Sequence, residues 1–166
     1  MTEQQAVSVK KSRRQSMIYL AIAIAVLALF VCILPMLYVE DWSRDLSTNF
    51  AETSENAEDP RQRPIVTSRS PEEVVAAIKK FAANRSGWEV AEIKTAPPQT
   101  LHLIRTSALV GYKDDVKVTI SSRDENRIAV EAQSQSRIGK GDFGQNPRNL
   151  RELLQAIRTE LTSSSD

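Results

Sequence analysis

Between Met17 and Tyr38 the chain runs for 22 residues without a charge, and Leu, Ile, Val and Ala dominate the run. No other stretch constrains the chain as tightly. Coiled as a helix it is about 33 Å long, enough to cross the hydrocarbon core of a bilayer. Pro35 lies near one end, where membrane helices accept it. Tyr19, Tyr38 and Trp42 fall near the expected headgroup levels. Residues 1–16 carry Lys10, Lys11, Arg13 and Arg14 against Glu3, a net +3, whereas residues 39–53 carry Arg44 against Glu40, Asp41, Asp45 and Glu52, a net −3. The lysine and arginine bias predicts a cytoplasmic N-terminus and an extracytoplasmic remainder, on the periplasmic side in a bacterium.

A cleaved signal peptide is the competing reading. It would need a shorter apolar region and a small-residue cleavage site. Pro35-Met36-Leu37-Tyr38-Val39-Glu40-Asp41-Trp42 supplies no such site. Leu29-Phe30-Val31-Cys32 is a poor lipoprotein box, because bulky Val31 stands where a small residue is needed. The run therefore reads as an uncleaved single-pass anchor in the cell membrane, with the lipid bilayer as its first partner.

The rest bounds one modest domain. A formal net charge of +1 gives no reason to expect a nucleic-acid partner. Cys32 is the single cysteine, so no intramolecular disulfide can form. Residues 1–16 read as a disordered basic tail and residues 39–69, polar and poor in large apolar side chains, as a linker. Ser70-Pro71-Glu72-Glu73 announces a helix by a capping box with proline at its first position. Val74, Val75, Ile78 and Phe81 follow at helical spacing, and the helix is expected to end near Asn84.

Strict alternation then marks four strands. Trp88 to Thr95 is one, and Leu101 onward, toward Val110, is the second. Val116, Val118 and Ile120 define the third; Ile128, Val130 and Ala132 define the fourth. Leu150, Leu153, Leu154, Ile157 and Leu161 form the apolar face of a last helix from Pro147 to about Thr162. The pattern predicts an α+β domain over 70–162: a roughly four-stranded antiparallel sheet with two helices on one face. Residues 163–166 read as a disordered tail.

The stretch that offers chemistry is Ser134 to Arg151. It holds Gly139, Gly141 and Gly144 among Arg137, Lys140, Arg148 and Arg151, and leads into Asn146-Pro147, which reads as a helix start. Glycines beside cations and a helix N-terminus can cradle an anion. Arg137, Gly139, Lys140, Gly141, Gly144, Asn146 and Arg148 are accordingly candidate ligands for an anionic small molecule, a lipid headgroup or an acidic patch on a protein partner. The glycines can equally make a tight turn, with Arg137 paired inside the chain.

Gly139-Lys140-Gly141-Asp142-Phe143-Gly144 spells the dinucleotide fingerprint, but no second strand and acidic ribose partner follow it. No Gly-Lys-Ser/Thr follows either, and the kinase tripeptide Asp142-Phe143-Gly144 has no companion motifs. Asp114, Asp115 and Asp142 could converge on a hard cation, or one of the first two could pair with Arg137. His102 is the lone histidine, no zinc-type ligand spacing exists, and Ser134 and Ser136 lack an evident base. No cofactor is expected. The scarcity of catalytic residue types points to a non-enzymatic binding module, with a hydrolase-like enzyme built on the Asp114, Asp115, Arg137 and Asp142 cluster as the alternative.

Tyr112-Lys113-Asp114-Asp115, then Ser134-Gln135-Ser136-Arg137-Ile138-Gly139, then Asp142-Phe143-Gly144-Gln145-Asn146 occur in that order. This series resembles the family catalogued as domain of unknown function 1499. That family shows an aromatic-x-Asp-Asp segment, a Ser-x-Ser-Arg-x-Gly segment and an Asp-hydrophobic-Gly-x-Asn segment, with Gln145 and Pro147 departing from its more usual residues. The resemblance spans roughly residues 64–162. It implies a recurring domain often found in membrane or envelope settings, and it carries no established activity.

Protease added to intact cells or spheroplasts is expected to digest everything beyond the apolar run. Full protection of that part would contradict the topology derived from the flanking charges.

Overall fold

The computed structural model describes residues 3–38 and 42–163. It divides into two compact units, Met1–Glu40 and Asp41–Asp166. The first is one helix, α1 (Glu3–Tyr38). Its segment Gln15–Ile33 is long and apolar enough to cross a membrane, a test that a signal sequence also passes. The helix starts at Glu3, so the basic segment predicted to be disordered continues the helical backbone instead. Ala6, Lys10, Lys11, Arg13, Arg14 and Gln15 are good helix formers, and a helix already nucleated by the apolar run extends into them at little cost.

The second unit is α+β. Its elements are α2 (Trp42–Ser47), β1 (Phe50–Glu52), a 3₁₀ turn (Pro60–Gln62), β2 (Ile65–Thr67), α3 (Pro71–Asn84), β3 (Trp88–Lys94), β4 (Gln99–Thr106), β5 (Lys113–Ser122), β6 (Ile128–Ser136) and α4 (Gln145–Ser163). The strand order is β1-β6-β5-β4-β3, with β2 also paired to β6 and every pairing antiparallel. The sheet thus has six strands rather than four.

The alternation has the consequence it predicts. Leu101 and Leu103 of β4, Val116, Val118 and Ile120 of β5, and Val130 and Ala132 of β6 are buried on one face. Val74, Ala77 and Ile78 of α3 and Leu150, Leu153, Leu154, Ile157 and Leu161 of α4 complete the same core. At the edge of that core Phe81 meets Trp88 edge-on, with ring centroids 5.0 Å apart. The capping box forms as read: Ser70 Oγ accepts from Glu73 N at 3.2 Å, and Glu73 Oε2 accepts from Ser70 N at 2.8 Å. The second strand stops at Thr106, short of Val110, because 107–112 is needed as the connection to β5.

The largest departure lies in 39–69, where composition predicts a linker. Residues 42–67 belong to the domain. β1 pairs Phe50–Glu52 with Gln135–Gln133, and β2 pairs Ile65–Thr67 with Val130–Ile128, in tandem along one edge of β6. Thr53 bridges them: its N–H donates to Ala132 O at 2.8 Å and its Oγ1 accepts from Ala132 N at 3.1 Å. From the helix side, Arg158 donates to the carbonyls of Arg61 and Arg63 at 3.2 and 2.6 Å. Such a strap is held mostly by backbone groups and cations, with Ile65 as its one large side chain in the core cluster, so hydropathy does not report it. It also covers a sheet edge that would otherwise be open to pairing with other chains.

A chain beginning at Asp41 is therefore expected to melt cooperatively, and one beginning at Ser70 to lose that transition or melt far lower. Equal melting of the two in a calorimeter would contradict the strap's role.

Candidate functional site

The end of the sheet where β5 and β1 begin and β4 and β6 finish gathers most of the residues singled out from the sequence. Along β6 the core-facing side chains change from Val130 and Ala132 to Ser134 and Ser136; along β5 they change from Val116 to Asp114. The first turns of α4 answer with Asn146 and Asn149. Asp114, Ser134, Asn146 and Asn149 are all buried.

Their hydrogen bonds close on one another. Asn146 Nδ2 donates to Asn49 O at 2.7 Å and Ser136 Oγ at 3.0 Å, while its Oδ1 accepts from Ser134 Oγ at 2.6 Å. Asn149 Nδ2 donates to Asp114 Oδ2 at 2.9 Å and Ser134 Oγ at 3.2 Å, and its Oδ1 accepts from Gln145 Nε2 at 2.7 Å. Both asparagine amides are therefore fully employed. Buried polar groups are costly when unpaired, so this set admits one placement of α4 on the sheet.

Asn146 is thus not the helix cap that Asn146-Pro147 suggests. α4 starts at Gln145, and Asp142 does the capping. Asp142 Oδ1 accepts from Gly144 N and Oδ2 from Asn146 N, each at 2.8 Å. The position at a helix N-terminus that an external anion would take is filled by the chain's own carboxylate. Pro147 is tolerated because it lies in the first turn, where N–H groups have no helical partner.

The glycines answer to the segment 45–49. Asp142 N and Phe143 N both donate to Asp45 O, at 3.1 and 3.0 Å, and Asn49 Nδ2 donates to Gly139 O at 2.8 Å. A Cβ on Gly141 would stand 2.4 Å from Leu46 O. Gly144 has φ +74°, and a Cβ there would stand 2.6 Å from Asp45 Oδ2. Close approach by the Leu46 backbone is what requires glycine at 141, and the positive φ is what favours it at 144. Arg148 reaches back over the same loop, donating to Phe143 O at 3.0 Å and Gln145 Oε1 at 3.3 Å. Lys140 is exposed at the tip of the loop.

Asp115 neighbours Asp114 in sequence but faces the opposite side of the sheet, as strand geometry demands. On that open face it accepts two hydrogen bonds from Arg137, Nε to Oδ2 at 2.8 Å and Nη2 to Oδ1 at 2.7 Å. His102 Nε2 lies 2.7 Å from the same Oδ1. The Arg137 guanidinium brings the Asp115 carboxyl down to about 2, with His102 adding to the effect and partial burial opposing it. Of the two alternatives, the structure has the pairing rather than the convergence: Asp115 meets Arg137, while Asp114 meets Asn149 and Asp142 caps α4. Among the described residues, no group of three His, Cys, Asp or Glu side chains is placed to hold a metal ion.

Residues 41–157 match the family described as Protein of unknown function (DUF1499). The chain belongs to this family. The matched region starts at 41, so it takes in α2, β1 and β2, as the fold does, and exceeds the stretch from 64 that the resemblance covers. No curated protein matches the chain. The family's segments read directly onto the geometry: Ser134 and Ser136 hold Asn146, Arg137 holds Asp115, and Asp142 caps the helix whose first turn passes Gly144.

Sequence reasoning missed Asn49 and Asn149 altogether. Asn149 was detectable: like Asn146, it lies in phase with the apolar stripe, four residues before Leu153. Asn49 acts through its backbone carbonyl and a side-chain amide in a segment without periodicity, and leaves no such signal.

Magnitudes rank the two interactions. Orphaning buried groups costs about 1–3 kcal/mol each, whereas an exposed ion pair contributes about 0–1 kcal/mol. Asn146→Ala is expected to lose about 2–4 kcal/mol in denaturant unfolding, and Arg137→Ala about 1 kcal/mol or less. The reverse order would contradict the ranking. The Asp115 pairing also has a pH signature. Its carboxyl titrates near 2 when folded and near 3.8 when unpaired, so its stabilisation is complete above about pH 4 and fades as pH falls toward 2. Asp115→Asn should flatten the stability profile across that window; profiles that stay parallel would contradict the pairing.

Proposed function

We propose that the chain is a single-pass, membrane-anchored module, its domain held outside the cytoplasm and serving in binding rather than catalysis. The site is the 137–148 loop, and its ligand is an anionic group presented at the cell envelope. The observation that carries this reading is the rigidity of the loop. Asp45, Asn49 and Asp142 hold its backbone, so the loop that carries Lys140 and the half-exposed guanidinium of Arg137 is ordered before binding, and its backbone adds little ordering cost. Asn146 and Arg148, nominated as ligands, serve this site as supports beneath it.

Support for a non-catalytic role comes from the same hydrogen bonds. Asp114, Asp115, Arg137 and Asp142, the residues a hydrolase would draw on, are separated onto two faces of the sheet and the helix cap, each engaged by another group of the domain. Support for the location comes from the uncharged run in α1 and the opposite charge balance of its flanks.

Melting of the full chain in detergent, against phosphate, sulfate, carboxylates and soluble lipid headgroups, tests the binding. A ligand present at 100 times its dissociation constant adds about 2.7 kcal/mol. The expected result is a rise with an anion that is reduced in Lys140→Ala and Arg137→Ala. A panel with no rise in the parent chain would refute the anion site.

A further inference from the structure

Among the described residues of the domain, seven large apolar side chains are exposed, and six of them lie at one end of the sheet: Leu46, Leu109, Val110, Tyr112, Ile138 and Phe143. The seventh, Val66, is on the outer face of β2. We propose that this end of the domain is a membrane-docking surface that seats in the headgroup layer of the bilayer in which α1 is anchored. The proposal rests on the anchored reading above and names the ligand of that end as the lipid surface itself.

Three segments build the surface, and hydrogen bonds join them. The β4–β5 connection is closed by Ser107 N to Tyr112 O at 2.8 Å, Gly111 N to Ser107 O at 3.1 Å and Tyr112 N to Ser107 Oγ at 2.9 Å. Closure leaves Leu109 98% exposed at its tip. The glycine loop is tied to this connection through Arg137 N to Lys113 O at 3.0 Å, which sets Ile138 beside it. The segment 45–49 is tied to the glycine loop through the Asp45 and Asn49 contacts already described.

The opposite end of the sheet is different in kind. Its connections are Thr95-Ala96-Pro97-Pro98 and Arg123-Asp124-Glu125-Asn126-Arg127, neither with a large apolar side chain. Loops facing water are built of such residues. A rigid tip of leucine, valine and tyrosine is built for an interface where apolar groups enter the acyl boundary and tyrosine sits at headgroup level.

Charge fits the same occupant. Segments 42–49, 107–115 and 137–148 hold Arg44, Lys113, Arg137, Lys140 and Arg148 against Asp45, Asp114, Asp115 and Asp142, with Arg137 paired to Asp115 and Asp114 bonded to Asn149. Asp45 is buried and Asp142 is taken up by two backbone N–H groups. Lys113 and Lys140 are exposed beside the apolar tips, where anionic lipid phosphates would meet them.

The test uses the full chain in vesicles, with environment-sensitive dyes and nitroxide lipids as quenchers. The native Cys32 reports on the anchor. In a Cys32→Ser background, Leu109→Cys and Ile138→Cys report on the proposed surface and Asn126→Cys on the opposite end. Emission at 109 and 138 is expected to shift to the blue and to be quenched by nitroxides at headgroup depth, more so with phosphatidylglycerol present than in pure phosphatidylcholine. The label at 126 should keep its aqueous emission. Aqueous emission at 109 and 138, with Cys32 quenched by nitroxides deep in the acyl chains, overturns the docking surface and leaves the anchor standing; the patch is then a face for a protein partner. Equal quenching at 109, 138 and 126 overturns it too, because the domain then has no preferred end. A Cys32 label beyond reach of the deep nitroxides removes the anchor, and the docking surface with it.

Discussion

The domain depends on a requirement that buried amides be paired. Asn146 and Asn149 leave the apolar stripe of α4 at its N-terminal end, and a slip of the helix along the sheet by one turn would strand them against leucines and valines. In the observed placement they meet Ser134, Ser136, Asp114 and the Asn49 carbonyl, groups from two strands and from the segment ahead of β1. Apolar packing alone tolerates many placements of a helix on a sheet; polar pairing in a low-dielectric interior tolerates few. The asparagines therefore set the register of α4, and α4 carries Asp142 and the glycine loop along with it.

What was legible in the sequence follows from which interactions leave periodic traces. The four long strands alternate because one face is core, and α3 declares its start with a reciprocal cap, so both were readable, except that the second strand ends at Thr106 rather than toward Val110. β1 and β2 are three residues each, and what holds them is the edge of β6, Thr53 and the cations of α4. None of these requires a recurring apolar residue, and a polar segment strapped to a domain looks like a polar segment beside it. At the loop, the pairing of Arg137 with a carboxylate of the β5 start was among the readings the residues allowed, and Asp115 is that partner; the partners of the glycines and of the helix N-terminus were not foreseen. Glycines, an arginine and a helix N-terminus suit a bound phosphate and suit equally well an inward carboxylate and a passing backbone; here Asp142, Asp115 and Asp45-Leu46 supply the latter. Asp114 and Asp115 could have been separated from the outset, since neighbours on a strand face opposite ways.

The same end of the sheet inverts the usual distribution of polarity. Inside, where the rest of the core holds leucine, isoleucine and valine, it buries asparagine, serine and a carboxyl; outside, it exposes leucine, valine, tyrosine, isoleucine and phenylalanine. The two halves of the inversion are connected. A tip that must carry apolar groups outward cannot also be held by an apolar core reaching to its base without losing a single defined placement, because apolar contacts are non-directional. Hydrogen bonds are directional, and a closed set of them fixes the loops while their side chains stay free to meet something other than water. Under the docking proposed above, lipid is the surrounding that makes such a surface favourable, and the apolar run of α1 would be the means of holding the domain there.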